Sequence, residues 1–220
     1  MSKGLNKFIT LILSIALALF IIAIAVKATL AFRQLYFYDL DYLHIAKDYG
    51  MPKEEILKNY NILIDYTQKK SIEKLQMPSF PMSREGEIHF TEVKALFMKF
   101  NSLMYICGFI SLIGIILMYR EKCYKYLKYS SALLLALPIA LAIPFAINFD
   151  ESFTTFHHIF FKNNYWEFDP AKDPIINVLP QEFFFHCAVI ILLILALFSL
   201  IFYIIYRKKK VRDYSSKYHF

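Results

Sequence analysis

The sequence predicts an all-α membrane protein with four transmembrane helices and a small extracytoplasmic cap of short amphipathic helices and loops. Three observations carry that prediction. Of 220 residues, 58% are hydrophobic and 18% aromatic, at a mean hydropathy of +0.42, whereas a soluble domain is roughly 45–50% apolar. Four apolar runs come close to or exceed the ~20 residues that cross hydrocarbon as a helix. Basic residues cluster at particular ends of those runs, as they do where a chain emerges into the cytoplasm.

The first span is placed at about 8–30. Phe8–Val26 is interrupted only by Thr10 and Ser14 and outruns the ~7–15-residue apolar core of a cleaved signal peptide. The next polar segment, 31–95, carries apolar residues at helical spacing: Tyr42, Ile45, Ala46 and Tyr49, then Ile56, Leu57, Tyr60, Leu63 and Ile64. Gly50 is placed at the end of one helix and Pro52 at the start of the next. With so many tyrosines these helices suit either the water-lipid boundary or a small packed cap. Residues 71–82, with Pro78 and Pro81, read as loop.

The second span is about 96–119. The third, about 130–149, contains Pro138 and Pro144, which predict kinks, and Ala132, Ala136 and Ala140 at a spacing of four, which predicts close helix packing. The fourth is about 183–206. The whole chain, 1–220, is read as a single integral membrane domain, with no internal repeat. Cys107, Cys123 and Cys187 form no paired framework in any polar segment.

Orientation follows from the charges. Lys3 and Lys7 precede the first span; Arg120, Lys122, Lys125 and Lys128 lie around the second loop; Arg207, Lys208, Lys209, Lys210, Arg212 and Lys217 follow the fourth span. Segment 150–182 has only Lys162 and Lys172 against six acids, Asp150, Glu151, Glu167, Asp169, Asp173 and Glu182. Both termini are therefore expected in the cytoplasm of a multi-pass cell-membrane protein, with 31–95 and 150–182 together outside. The net charge of +7 is accounted for by topology. No basic-aromatic interleaving points to nucleic acid, and no Walker loop or glycine-rich cradle points to a nucleotide.

The chemistry is expected in two stretches, Ser83–Lys94 (SREGEIHFTEVK) and Phe153–Pro180 (FTTFHHIFFKNNYWEFDPAKDPIINVLP). His89 lies just before the second span and His157 just after the third, so antiparallel packing would bring both to the outer membrane surface. Two imidazoles, with an unperturbed pKa near 6.5, make an acid-base pair near neutrality. The plainer reading is that each is an interfacial residue bonded to backbone carbonyls. His158 points away from its neighbour in helix or strand, so only one of the two faces His89. His186, at the mouth of the fourth span, is within reach of the same site but fits a capping or interfacial role better. Glu85 and Glu92 share a helical face with His89 and fit the role of ring-orienting acceptors. Asp169 and Asp173, each before a proline, suit Asx-type turns. A zinc site from His89, Glu92 and His157 lacks any HExxH or CxxC spacing, so no metal is expected.

Taken together, these stretches resemble a known family. SREGEIHFTEVKALF resembles Ser-x-x-Glu-x-x-His-x-x-Asp-Val-Lys-x-Leu-Phe. FHHIFFKNNYWEFDPAKDPIINVLP resembles Phe-His-x-Ile-Phe-Phe followed by Trp-x-Phe/Leu-Asp-Pro-x-x-Asp. Both patterns are those of the lipoprotein intramolecular transacylases, four-span membrane proteins of Gram-positive bacteria, and the likeness runs through the whole chain in span order.

The resemblance implies that His89 and His157 are the catalytic pair. His157 takes that place over His158 because Phe156 precedes it and Ile159-Phe160-Phe161 follow it at the motif spacing. Glu85 or Glu87 stands for the motif acid, because Gly86 shifts the spacing. Glu92 stands where the pattern usually has Asp, and His158, Trp166 and Asp169 are supporting candidates. The implied reaction moves the sn-2 acyl chain of a diacylglyceryl-cysteine lipoprotein onto that cysteine's own α-amine, leaving an N-acyl lyso-form. It requires no cofactor, and its partners are diacylated bacterial lipoproteins and membrane lipid. One histidine would deprotonate the amine and the other protonate the departing oxygen. The competing readings are another membrane lipid acyltransferase or hydrolase, disfavoured by the missing Ser or Cys nucleophile motif, and a non-catalytic lipid-binding subunit.

Overall fold

A computed structural model describes the backbone of residues 1–218 and side chains through Val211; Arg212 and Lys217 of the basic tail are outside the described side chains. Its elements are α1 (Lys3–Ala31), α2 (Arg33–Tyr42), α3 (Ile45–Tyr49), α4 (Lys53–Gln68), α5 (Arg84–Arg120), α6 (Lys125–Ile147), α7 (Phe149–Phe160), a 3-10 helix (Pro174–Val178) and α8 (Gln181–Tyr218). No strand occurs among the described residues. Four helices, α1, α5, α6 and α8, are long and apolar enough to cross a membrane. Large apolar side chains such as Tyr105, Leu141 and Leu193 are exposed on them, as lipid-facing residues are.

The boundaries differ from the expected ones for local reasons. The second span is the far part of a 37-residue helix that begins at Arg84, so His89 rides on the same helix as the span. Ser83 starts it: its Oγ accepts the Gly86 N–H at 2.9 Å, and Glu85 and Glu87 sit in the positive first turn. The third span stops at Ile147. Asn148 then caps α7, its Oδ1 accepting from Glu151 N at 3.2 Å. The single helix expected around Tyr42–Tyr49 is two, broken where His44 takes a left-handed φ of 54°. Gly50 closes α3 at φ 75°, a conformation glycine adopts without penalty, and Pro52 caps α4 from just outside it.

Contacts divide the described chain into two compact units. One is built from Met1–Val26, Asn101–Ile143 and α8 from Ile191 onward. Here α5 meets α1 at glycines: a Cβ on Gly108 would press on Phe20, and one on Gly114 on Leu13. The Ala132, Ala136 and Ala140 stripe does not pack as expected. These alanines are exposed, and α6 instead buries Ser130, Ser131 and Leu134. Ser130 Oγ donates to Ser14 O at 3.1 Å. Ser131 Oγ pairs with Ser199 Oγ at 2.9 Å, and Ser199 Oγ donates back to Ser131 O at 2.9 Å.

The other unit comprises Lys27–Phe100 and Pro144–Ile190, and it contains both histidine stretches. Its short helices form a packed cap. Tyr36, Ile56, Tyr60 and Leu63 are buried with Ile175, Val178 and Phe183 in one cluster, each large side chain contributing about 1.5–3 kcal/mol. Tyr36 and Tyr60 stack at 3.8 Å. Burial pushes both phenols well above their usual range, and Tyr36 donates its proton to Val178 O at 2.7 Å, pinning α2 to the 3-10 helix. Tyr38 and Tyr42 on α2 stay exposed. Lys94 bonds Ile72 O and lies over the Tyr66 ring, which holds the 71–82 loop against α5.

Candidate active site

His89 reaches the site from the first turns of α5 and His157 from α7. Both are buried, with 6% and 9% of their surfaces exposed, and their ring centroids are 6.2 Å apart. Phe161 touches both, at 4.9 Å from His89 and 5.7 Å from His157. Trp166 stacks on His157 at 4.5 Å with 26° between planes, Phe153 lies 4.1 Å from the same ring, and Phe168 meets His89 edge-on at 5.4 Å. The pair is enclosed by aromatic surface.

That enclosure sets the protonation. Burial, and secondarily the neighbouring His157, lower His89 to about 4. Burial also lowers His157, against the opposing pull of its bond to Phe153 O. Both imidazoles are therefore neutral at pH 7. His157 Nδ1 is 2.8 Å from the Phe153 carbonyl. A carbonyl only accepts, so Nδ1 carries the hydrogen and Nε2 keeps its lone pair as a base. A backbone carbonyl, four residues earlier on α7, thus orients the His157 ring, the kind of partner the plainer reading gave each histidine.

The acids divide. Glu85 is exposed, and Glu87 pairs with Lys74 at 3.5 Å on the surface; the structure brings neither to the histidines. Glu92 Oε1 accepts from Asn163 Nδ2 at 2.9 Å, a partner that nothing in the sequence marked. Asp169 forms the expected Asx turn with Ala171 N at 3.0 Å. Asp173 does something else. It is 3% exposed and accepts from Ser83 N and Ser83 Oγ, both at 2.7 Å, so it braces the start of α5 from the far loop. Gly86 belongs to this brace, since a Cβ there would collide with Asp173 Oδ1. His158 is exposed and meets the edge of Trp166 at 5.7 Å. His186 is taken by the fully buried Asp39, at 2.8 and 2.9 Å. Among the described residues no three His, Cys, Asp or Glu side chains converge to hold a metal.

Fold and site define a helical integral membrane protein with a paired-imidazole centre lined by aromatic rings. The family model described as lipoprotein intramolecular transacylase Lit matches residues 11–184. The crystal structure of the membrane-integral lipoprotein intramolecular transacylase Lit from Bacillus cereus is 39% identical, with a TM-score of 0.93 over 97% of this chain and 100% of that one. Structures of the same protein with one histidine replaced by arginine or alanine match at TM-scores of 0.89, also at 39% identity, the first over 97% of this chain and 95% of that one and the second over 96% of each. No curated protein matches the chain. The chain belongs to the lipoprotein intramolecular transacylase family. It is a multi-pass membrane acyltransferase that acts on lipoproteins.

Proposed function

We propose that this enzyme transfers the sn-2 acyl chain of a diacylglyceryl-cysteine lipoprotein to the same cysteine's α-amine through His89 and His157. One observation carries the reading: two neutral, buried imidazoles, 6.2 Å apart, one of which has its Nε2 lone pair set free by the Phe153 bond. The attacking nitrogen and the acyl carbon close an eight-membered ring, so the aromatic walls first fold the substrate into a near-attack shape. His157 Nε2 takes the amine proton as the C–N bond forms. Trp166 Nε1–H, buried and without a partner among the described residues, donates to the developing oxyanion. His89 passes a ring proton to the departing sn-2 oxygen and recovers one from the His157 imidazolium, whose lowered pKa makes it a ready donor. The pair ends as it began.

The charge distribution supports placing the site on the outer face, with both termini in the cytoplasm. Cysteines introduced at Lys70 or Lys172 are then labelled by an impermeant thiol reagent in intact cells, and native Cys123 is not; the reverse pattern inverts the topology.

Because the acyl group only changes position, lipopeptide substrate and product have equal mass. Fragmentation should locate one chain on the α-nitrogen. In a mixture of heavy-chain and light-chain lipopeptides of different sequence, each product should keep its own label. Label crossover, or loss of one acyl mass, would sink the reaction proposed.

A further inference from the structure

Buried polar atoms without a protein partner mark places where another molecule completes the hydrogen bonding. In the unit that holds the histidines three described atoms are of this kind: His89 Nδ1, Trp166 Nε1 and Glu92 Oε2. All three belong to the elements that build the pair. The reaction above uses His89 and Trp166. It gives Glu92 no task.

Glu92 follows His89 by three residues on α5, so the two side chains leave the helix on one face. Asn163 holds its Oε1 at 2.9 Å, and Asn163 is itself fixed, because its Oδ1 accepts from Tyr165 N at 3.0 Å. Asn163 lies two residues beyond Phe161, the ring that touches both imidazoles. One carboxyl oxygen is thus anchored in the segment that walls the site. The other, Oε2, is enclosed with no donor among the described residues. A buried carboxylate oxygen in that position is complementary to a cation or an N–H group. Both imidazoles are neutral and the remaining walls are aromatic, so nothing else in the pair offsets its charge.

We propose that Glu92 Oε2 binds the α-ammonium group of the lipoprotein's N-terminal cysteine and selects substrates whose amine is free. The inference rests on the lipoprotein reading above. An α-amine has a pKa of about 8, so it arrives mostly as the cation and gives one proton to water before it attacks as the neutral amine of the reaction above. One N–H can face Glu92 while another faces a histidine base. Acyl transfer turns this nitrogen into a neutral amide, so the contact distinguishes substrate from product at the group that changes.

The test uses binding without turnover. Trp166 is the chain's only tryptophan, and its stacking on His157 makes its fluorescence a reporter of the site in the full-length protein in detergent micelles. The probes are two lipopeptides with an sn-2 ether in place of the ester, one with a free α-amine and one N-acetylated. Wild type should bind the free-amine form about 10-fold or more tightly at pH 7, and the preference should vanish near pH 10 as the ammonium loses its proton. Glu92→Gln should bind the N-acetyl form normally and lose the preference, and Glu92→Asp should keep part of it. A preference that survives in Glu92→Gln, or persists at pH 10, overturns the Glu92 assignment and leaves the proposed reaction standing. Failure of wild type to bind either probe overturns both.

Discussion

The unit built from Met1–Val26, 101–143 and the later part of α8 buries hydroxyls, and most of them bond backbone carbonyls. Ser14 Oγ returns to Thr10 O at 2.6 Å, Ser130 bonds the Ser14 carbonyl, and Ser131 and Ser199 bond reciprocally; Ser111 Oγ is an exception. The unit with the cap buries imidazoles, carboxyls and an indole, and leaves one atom of each kind uncommitted. A hydroxyl that back-bonds to its own helix asks little of its surroundings. An uncommitted imidazole or carboxylate carries a real desolvation cost, and a fold that retains several together holds them ready for a substrate.

Four experiments break or sharpen that contrast. The largest effect is expected at the pair: His89→Ala and His157→Ala should each lower transacylation by roughly 10²–10⁴-fold or more at normal membrane levels, while exposed His158→Ala keeps most of it. An active His157→Ala beside an inactive His158→Ala reverses the assignment. Trp166→Phe comes next. It retains an aromatic surface against His157 but removes the N–H, and should lower kcat by about 10²–10³-fold with a smaller change in KM; a purely structural indole would leave kcat unchanged.

The pH profile follows from the lowered imidazoles. With His89 near 4 and His157 also below its ordinary value, the enzyme's own loss of activity in acid should fall below the free-imidazole value of ~6.5, beneath the limb near 8 that the substrate amine sets. Between about 6.5 and 4 the unfolded chain binds more protons at these positions than the folded one, so stability falls as pH drops through that window and is insensitive to them above it. Thermal unfolding in detergent between pH 7.5 and 4.5 checks the sign. The smallest effect belongs to the hydroxyl pair: Ser131→Ala should cost about 0.6 kcal/mol and leave transacylation intact. A large loss of activity there would erase the distinction between the units.

The four spans were legible because apolar runs of bilayer length have few other uses. Spacing alone did not choose between His157 and His158; the family resemblance favoured His157 through Phe156 and Ile159-Phe160-Phe161, and the structure buries His157 and leaves His158 exposed. Other features left less of a trace. The continuity of α5 was hidden by the change from SREGEIHFTEVK to apolar residues, which resembles a loop meeting a span. The alanine stripe misled because in lipid both the packed and the outward face of a helix are apolar, so spacing alone does not say which is which. Phe153's carbonyl, the orienter of His157, is backbone and has no residue signature. Asn163 sat in a KNN stretch with the composition of an ordinary loop.

Asp173 and Ser83 are 90 positions apart, yet they set the start of the helix that carries His89, with Gly86 beneath them. The two halves of the site therefore depend on one another structurally. In a chimera that takes 83–94 from one relative and 150–180 from another, compatibility depends on whether serine, glycine and aspartate arrive together, even when both histidines are present. Grafting the histidine stretches onto another four-helix scaffold meets the same requirement: the graft must carry the brace with the bases.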